Sequence, residues 1–325
     1  MTVLVTGAAG FIGARVSRHL LDRGEEVVGI DNLNDYYDPQ LKHTRLATLE
    51  SSVGFTFING DIADREALAK CVAGRTVDRV VHLAAQAGVR YSIEQPRAYI
   101  HSNITGHLEV LELCRQIKDF KHLVYASSSS VYGGNEKTPF SETDPVDTPV
   151  SLYAATKKAD ELMGHAYSHL YGIPQTGLRF FTVYGPLGRP DMAYWSFTKN
   201  IIEGKPIRVF NNGEMWRDFT YIDDIVTGTI AALDNPPKSD TKAALYRIYN
   251  IGNNQPEKLS RFIDILEGII GKKAIREMVP MQPGDVVQTY ADTAAIERDF
   301  GFKPSTPLED GLAAFVGWYR TYFNV

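Results

Sequence analysis

Cysteine is almost missing from this chain: Cys71 and Cys114 are the only two in 325 residues. Two isolated thiols give neither a disulfide framework nor the paired spacing of a metal site, which excludes small stapled folds and points to a reducing cytoplasm. Excess positive charge is missing too. With 34 lysines and arginines against 39 aspartates and glutamates, the formal net charge of −5 leaves no basic footprint for nucleic acid or an anionic membrane. No apolar run reaches the roughly 20 residues that span a bilayer, and a strand-like run opens at residue 3, so no signal peptide is expected. Internal repeats and low-complexity tracts are likewise lacking, and the nearest thing to a linker is the polar segment 235–242. What remains is an ordinary globular composition, 44% hydrophobic and 22% charged, in a chain long enough for one large domain or two coupled ones.

Glycine is concentrated where chemistry can use it. Residues 3–6 form an apolar, β-branched run, Gly7-Ala8-Ala9-Gly10-Phe11-Ile12-Gly13 follows at once, and a helical pattern occupies 14–22. Strand, glycine turn and helix in this order form a dinucleotide fingerprint: Gly7 permits the tight turn, Gly10 lets backbone approach a pyrophosphate, and Gly13 lets helix and strand pack closely. The N–H groups at the helix start, around Phe11 and Ile12, then face the diphosphate. The next strand-like run, 26–30, ends in Asp31 with Asn32 beside it. A carboxylate there accepts hydrogen bonds from a ribose diol and repels a 2′-phosphate, which favours NAD over NADP.

Tyr153-Ala-Ala-Thr-Lys157 places a phenol and an ammonium one helical turn apart on one face. A lysine cation beside the tyrosine hydroxyl favours the phenolate, and a phenolate is a general base for an alcohol. An ordinary tyrosine titrates near ~10, so bringing it close to neutrality requires roughly 4 kcal/mol of phenolate stabilisation at about 1.4 kcal/mol per unit. One lysine is too little for that. A second positive charge, such as an oxidised nicotinamide, makes up the difference, and the glycine turn provides a place for it.

Strand-like runs at 3–6, 26–30, 54–59, 79–83, 122–127 and 175–181 alternate with helical patterns, the rhythm of a doubly wound parallel sheet of the Rossmann type. The expected organisation is a dinucleotide domain over 1–175 and a smaller α/β substrate domain over 176–325, some of which returns to the first. Ligands in such sheets bind beyond the carboxyl ends of the strands. Asp61-Ile62 after the third run is a candidate adenine-edge contact, and Leu83-Ala84-Ala85 after the fourth lets a cofactor approach backbone. His82 reads as a packed strand residue.

After the fifth run comes Ser127-Ser128-Ser129-Ser130-Val131-Tyr132-Gly133. A serine hydroxyl emerging there can share a substrate alcohol with Tyr153. Taken in order, Gly7-x-x-Gly10-x-x-Gly13, Asp31, Asp61-Ile62, the serine block and Tyr153-x-x-x-Lys157 resemble the extended short-chain dehydrogenase/reductases that modify nucleotide sugars, over about residues 2–320. The resemblance implies that Ser128 assists Tyr153, that Ser130 lines the same pocket, that Asn103 is a structural or cofactor-side residue and that Phe180 lies near the nicotinamide. NAD as cofactor, a uridine diphosphate sugar as substrate, and a homodimer joined through helices near 103–118 and 153–171 are implied with it.

The same resemblance gives the C-terminal half its expected roles. Arg217 in Arg217-Asp218-Phe219-Thr220-Tyr221-Ile222-Asp223-Asp224 falls where the family clamps a diphosphate, a task suited to a planar, permanently charged guanidinium. Val209 and Phe210 fall where relatives contact uracil, and Asp285 where a carboxylate meets the ribose. Gln282 replaces an arginine common in relatives, which weakens or relocates that part of the clamp.

Oxidation at C4 of such a sugar gives a ketone with three open fates. Relatives that dehydrate carry Asp-Glu just before Val-Tyr-Gly, and relatives that decarboxylate a 4-keto uronic acid place glutamate at the position of Ser130. This chain has Ser129-Ser130. Return of the hydrogen to the opposite face, C4 epimerisation, is what remains. The run 182–193, with Thr182 and Arg189-Pro190-Asp191-Met192, and the run 31–38 resemble segments of uridine diphosphate glucuronate 4-epimerases. Ser129, Ser130 and Thr182 can donate to a C6 carboxylate, and Arg189 can close over it. A decarboxylase, a neutral-sugar 4-epimerase and a non-catalytic NAD sensor stay open as alternatives, the last disfavoured by the intact Ser128, Tyr153 and Lys157.

Overall fold

The computed structural model describes residues 2–238, 243–281 and 286–325. Among the described residues the twelve strands are β1 (Thr2–Thr6), β2 (Glu26–Asp31), β3 (Phe55–Asn59), β4 (Val77–His82), β5 (His122–Ser128), β6 (Gln175–Phe180), β7 (Thr182–Tyr184), β8 (Pro206–Phe210), β9 (Trp216–Tyr221), β10 (Tyr246–Ile251), β11 (Pro256–Lys258) and β12 (Ile275–Val279). Seven of them form a wholly parallel sheet in the order β10-β6-β5-β4-β1-β2-β3. The apolar runs dictate this. A strand such as β1, with all five residues buried, needs cover on both faces, and helices in the crossovers supply it.

Strand order sets the position of the site. From β1 the chain winds outward to β2 and β3, then returns to the other side of β1 to lay down β4 and β5. The crevice therefore opens at the carboxyl ends of β1 and β4, where Thr6 lies level with both Ile30 and His82. Six of the seven strands fall on the predicted runs, with shifts at the ends: β4 starts two residues earlier than expected, and the first helix begins at Phe11 rather than 14. The seventh, β10, comes from beyond the polar segment and pairs with β6 from Tyr246↔Gln175 to Ile251↔Phe180. Arg247 and Asn250 break its apolar pattern, which hid it among the candidate strands.

Beyond β6 the chain builds a three-stranded sheet, β11-β9-β7, and a parallel pair, β12-β8. Helices Ala193–Glu203, Leu259–Ile270 and Leu308–Phe323 pack over them around Trp195, Ile207, Phe219, Phe262 and Phe315, with Phe219 stacked on Phe262 at 4.7 Å. No helix among the described residues is long and apolar enough to cross a membrane.

One buried ionic network fixes the helix that carries Tyr153. Helix Leu152–Tyr171 is capped by Ser151, whose hydroxyl accepts from Ala154 N–H at 3.1 Å, and ends at Gly172 in the left-handed conformation. On its buried face Glu161 accepts from Arg179 Nε at 2.8 Å, from Arg179 Nη2 at 2.9 Å and from Ser127 Oγ at 2.7 Å. Arg179 also donates to the Tyr132 hydroxyl (2.9 Å), which in turn donates to Asn250 Oδ1 at 2.6 Å. Removing one partner of such a pair typically costs about 3–5 kcal/mol, because the other is left as a buried, uncompensated charge. The helix is thereby locked in register over the ends of β5, β6 and β10.

Candidate functional site

The glycine turn is closed by backbone contact. Gly7 has φ +70°, its N–H donates to Ile30 O at 2.8 Å, and its carbonyl accepts from Gly10 N–H at 2.8 Å. A Cβ on Gly13 would lie 2.1 Å from that same carbonyl, and one on Gly7 would lie 2.8 Å from Ala84 N. Glycine at these two positions lets the helix start sit directly on the strand ends. The helix Phe11–Asp22 opens at Gly10 with no side-chain cap and no acidic residue in its first turn, so its N-terminal donors face the crevice unneutralised.

One cavity joins this turn to the tyrosine helix. Gly7, Gly10, Phe11, Ile12, Gly13, Asp31, Asn32, Asp61, Ile62, Leu83, Ala84, Ala85, Ser128, Tyr153, Lys157, Phe180 and Arg189 line it together. Asp31 is buried at the end of β2, with Oδ2 accepting from Ala9 N–H (3.2 Å) and Oδ1 from Leu33 N–H (2.9 Å). Asp61 accepts from Ala63 N–H at 2.8 Å and Asn32 Nδ2 at 2.9 Å, with His101 Nε2 at 3.2 Å. Burial pushes that carboxyl up, but these donors outweigh it and hold Asp61 below the usual carboxylate range. A cradle that any Cβ would fill, unneutralised helix donors and a fixed carboxylate at the end of β2 fit a dinucleotide with a free ribose diol. Lys42, missed in the sequence, stands behind Asp31, with Nζ 3.8 Å from Oδ1 and donating to Asn34 Oδ1 at 2.8 Å. Burial lowers its pKa, partly offset by Asp31.

At the reacting end the tyrosine and lysine share the cavity, but the lysine is not aimed solely at the phenol as expected. Lys157 Nζ donates to Ala126 O at 2.9 Å and to Asp160 Oδ2 at 3.0 Å, both partners being buried or half-buried. The i,i+3 carboxylate thus draws on the same ammonium that the i,i+4 spacing assigns to Tyr153. Asp160 is wholly buried, and its other oxygen makes no hydrogen bond among the described residues. Ser128 Oγ accepts from Ser130 N–H (3.1 Å) and donates to Ser130 Oγ (3.1 Å), so the two serines hold each other at the end of β5. Tyr99 meets the Tyr153 ring edge-on at 5.9 Å and donates to the carbonyls of Ala87 and Gly88. Asn103 is structural, bridging Gln86 N–H (2.8 Å), Gln86 O (3.1 Å) and Thr156 Oγ1 (2.9 Å). His82 packs as expected, donating to or accepting from Thr6 Oγ1 at 2.7 Å and stacking on His107, and burial holds both imidazoles below their usual range.

The substrate-side residues are less uniformly placed. Arg189 lines the cavity but is held by Asp191, to which it donates from Nε at 3.0 Å and Nη2 at 2.7 Å, while Tyr36 donates to the same carboxylate at 3.1 Å. Burial and then the Arg189 charge act on Asp191 in opposite senses, and the arginine with its hydrogen bonds wins, keeping that carboxyl ionised below its usual range. Ser129, Ser130 and Thr182 are half-buried and flank the cavity residues Ser128 and Phe181 without lining the cavity themselves. Val209 corrects the expectation more sharply. The residue is 1% exposed and packs inside the C-terminal core; the half-exposed ring is Phe210, with the guanidinium groups of Arg90 and Arg208 at 5.1 and 5.3 Å. Arg217 lies on β9 away from the cavity lining, donating to Trp216 O at 2.9 Å and Val287 O at 3.2 Å. Gln282 and Asp285 lie outside the described residues.

Gly13→Ala tests the cradle. The added methyl cannot be accommodated without shifting backbone, so NAD affinity measured by titration is expected to fall by at least about tenfold, and unchanged affinity contradicts the assignment of the turn.

Comparison with known proteins agrees with this geometry. The chain is 55% identical over its full length to an uncharacterised 37.6 kDa protein from Escherichia coli O111:H-, which it also covers fully. It is 52% identical to UDP-glucuronate 4-epimerase 1 of Arabidopsis thaliana, covering 100% of this chain and 78% of the relative. Among solved structures, UDP-glucuronic acid 4-epimerase from Bacillus cereus in complex with UDP-glucuronic acid and NAD superposes with a TM-score of 0.90 at 36% identity, over 99% of this chain and 100% of that one. The family model described as NAD dependent epimerase/dehydratase matches residues 3–252. With the glycine turn, Asp31 and the Ser128, Tyr153 and Lys157 cluster joined in one cavity, the chain belongs to the NAD dependent epimerase/dehydratase family.

Proposed function

We propose that this protein epimerises UDP-glucuronate at C4, with NAD, to give UDP-galacturonate through a transient 4-keto sugar. The observation that carries the reading is the single cavity in which the dinucleotide turn meets Ser128, Tyr153, Lys157 and Arg189, with no carboxylate at positions 129 and 130. Relatives named UDP-glucuronate 4-epimerase, at 52% identity over the whole chain, support it. Residues 1–175 hold the dinucleotide contacts except that of Phe180, and residues 176–325 supply most contacts to the nucleotide sugar.

In this reading Tyr153 takes the proton of the C4 hydroxyl and later returns it. Ser128, held by Ser130, shares that hydroxyl and fixes its direction. NAD, when bound, supplies reversible hydride acceptance at C4. Lys157 anchors Tyr153's helix to Ala126 and brings positive charge beneath the reacting end, a charge tempered by Asp160. Net inversion requires that the ketone present its other face before the hydrogen comes back, so the pocket must bind the sugar's edge without clamping the ring.

That edge is assigned to Ser129, Ser130 and Thr182, which flank the cavity residues Ser128 and Phe181. A 4-keto uronic acid is a β-keto acid and loses carbon dioxide when its carboxylate stands perpendicular to the carbonyl plane. Neutral hydroxyl donors hold the carboxylate out of that alignment, and none of them offers the proton handling of a glutamate. The dimer follows from a different surface. Leu162 and Leu170 on helix Leu152–Tyr171 are 60% and 66% exposed, two apolar side chains two turns apart and within a quarter-turn of each other, suited to a second copy of the same helix.

Incubation with UDP-glucuronate and identification of the sugar nucleotide by NMR is expected to show UDP-galacturonate. A pentose product, or faster turnover of UDP-glucose, contradicts the reading. Tyr153→Phe is expected to lower kcat by about 10³-fold, and full turnover by that variant would sink the mechanism. In the same assay Ser130→Ala and Thr182→Ala are expected to release more carbon dioxide than the parent; no increase removes the protective role. Sedimentation is expected at twice the chain mass, and Leu162→Glu is expected to shift it towards the monomer, while a parent that sediments as a monomer rules the dimer out.

A further inference from the structure

Arg45 is the bulkiest fully buried side chain among the described residues, and none of its partners is an acid. It lies on the inner face of helix Pro39–Glu50 with Leu41, Leu46 and Leu49. All five of its N–H donors are used. Nη1 donates to Ala9 O at 3.1 Å and to the Tyr37 hydroxyl at 2.6 Å, Nε donates to Leu187 O at 2.9 Å, and Nη2 donates to Leu187 O at 2.6 Å and Gly188 O at 3.0 Å. A guanidinium in that position is held for its shape, because five carbonyl and hydroxyl contacts satisfy its donors without neutralising its charge.

What it grips at the two ends is informative. Ala9 belongs to the glycine turn, between Gly7 and Gly10. Leu187 has φ +61°, a left-handed backbone that a leucine resists, and both prongs on its carbonyl oppose relaxation of that turn. Gly188 follows, at a position where a Cβ would fall 2.0 Å from the Tyr194 hydroxyl, and then comes Arg189, whose N–H donates to that hydroxyl at 3.0 Å. The left-handed turn therefore decides where Arg189 and its partner Asp191 stand at the cavity.

We propose that Arg45 is a positioning residue that ties the dinucleotide turn to the loop carrying Arg189, and that preference for a uronic over a neutral sugar depends on this tie. The inference rests on the uronate reading above and deepens it. Occupation of the glycine turn and correct placement of Arg189 share one buried strut, so the C6 carboxylate is read by a loop braced against the cofactor site. A lysine cannot replace it, since one ammonium cannot span Ala9, Leu187 and Gly188 together.

The test uses the NAD-loaded protein and calorimetric titration with UDP-glucuronate and UDP-glucose. The parent is expected to prefer UDP-glucuronate, and Arg45→Lys is expected to narrow that preference by about tenfold, through weaker UDP-glucuronate binding with UDP-glucose binding unchanged. Arg45→Lys/Leu187→Gly is expected to recover part of the lost preference, because glycine takes the left-handed turn without steric cost. Leu187→Val keeps Arg45 but strains the turn, and is expected to lose the preference independently, so the outcome does not depend on Arg45→Lys folding well. An unaltered ratio in Arg45→Lys or in Leu187→Val, equal weakening of both sugars, or no recovery in the double variant overturns the proposal. A parent that binds both sugars alike instead overturns the uronate reading on which it rests.

Discussion

At the carboxyl end of β1 the chain turns through Gly7 and doubles back so tightly that the Gly7 carbonyl occupies the space a Gly13 side chain would need, 2.1 Å from where its Cβ would sit. Everything in the cavity is measured from that contact. Because Gly7 also sits against Ala84 at the end of β4, the helix start, the β1 end and the β4 end form one rigid floor. The uncapped donors of the helix that starts at Phe11 and the carboxylate of Asp31 then lie at positions set by the backbone. A floor built from main chain has no rotamers to adjust, which suits a dinucleotide held at backbone groups.

The tyrosine helix is held to this floor by charge in place of backbone contact. Glu161 and Arg179 fix its middle against β6, with Ser127, Tyr132 and Asn250 satisfying the remaining groups. One turn earlier, Lys157 and Asp160 repeat the arrangement in miniature, with Lys157 also bound to Ala126 at the end of β5. The two acids have different consequences. Glu161 meets a permanently charged bidentate guanidinium and acts as a structural pin, whereas Asp160 pairs with the ammonium of Lys157, which lines the cavity together with Tyr153. Neighbouring His82 and His107 are buried and kept neutral, and add no charge of their own.

How much of this could be read from the residues depended on whether the information was local. The glycine turn, Asp31 and the Tyr153 to Lys157 spacing lie within short stretches whose geometry is fixed by strand or helix, and they meet in the structure as expected. β10 was invisible because its membership in the sheet comes from pairing with β6, seventy residues back, not from its own pattern. Arg45, Lys42 and Asp160 were passed over for a related reason: each reads as an ordinary helix-surface charge until tertiary packing buries it. Val209 and Phe210 show the opposite case. The resemblance assigns both to the uracil, and strand alternation turns the Val209 side chain into the core and leaves Phe210 partly exposed.

The chemistry of the site is decided as much by what it withholds as by what it supplies. In the proposed reading a tyrosine, a serine and a lysine handle the C4 proton while NAD takes the hydride, and nothing in that set distinguishes an epimerase from a dehydratase or a decarboxylase. Ser129 and Ser130 remove the acid and base that the other two outcomes require. Meanwhile the cation that could bind a uronate strongly, Arg189, is already engaged by Asp191 and Tyr36. A full salt bridge to C6 would hold the ring in one orientation and oppose the rotation that inversion needs. In the proposed reading, an arginine whose charge is shared with a fixed carboxylate, and whose loop is braced by Arg45, recognises the substrate's charge while leaving the ring free to turn.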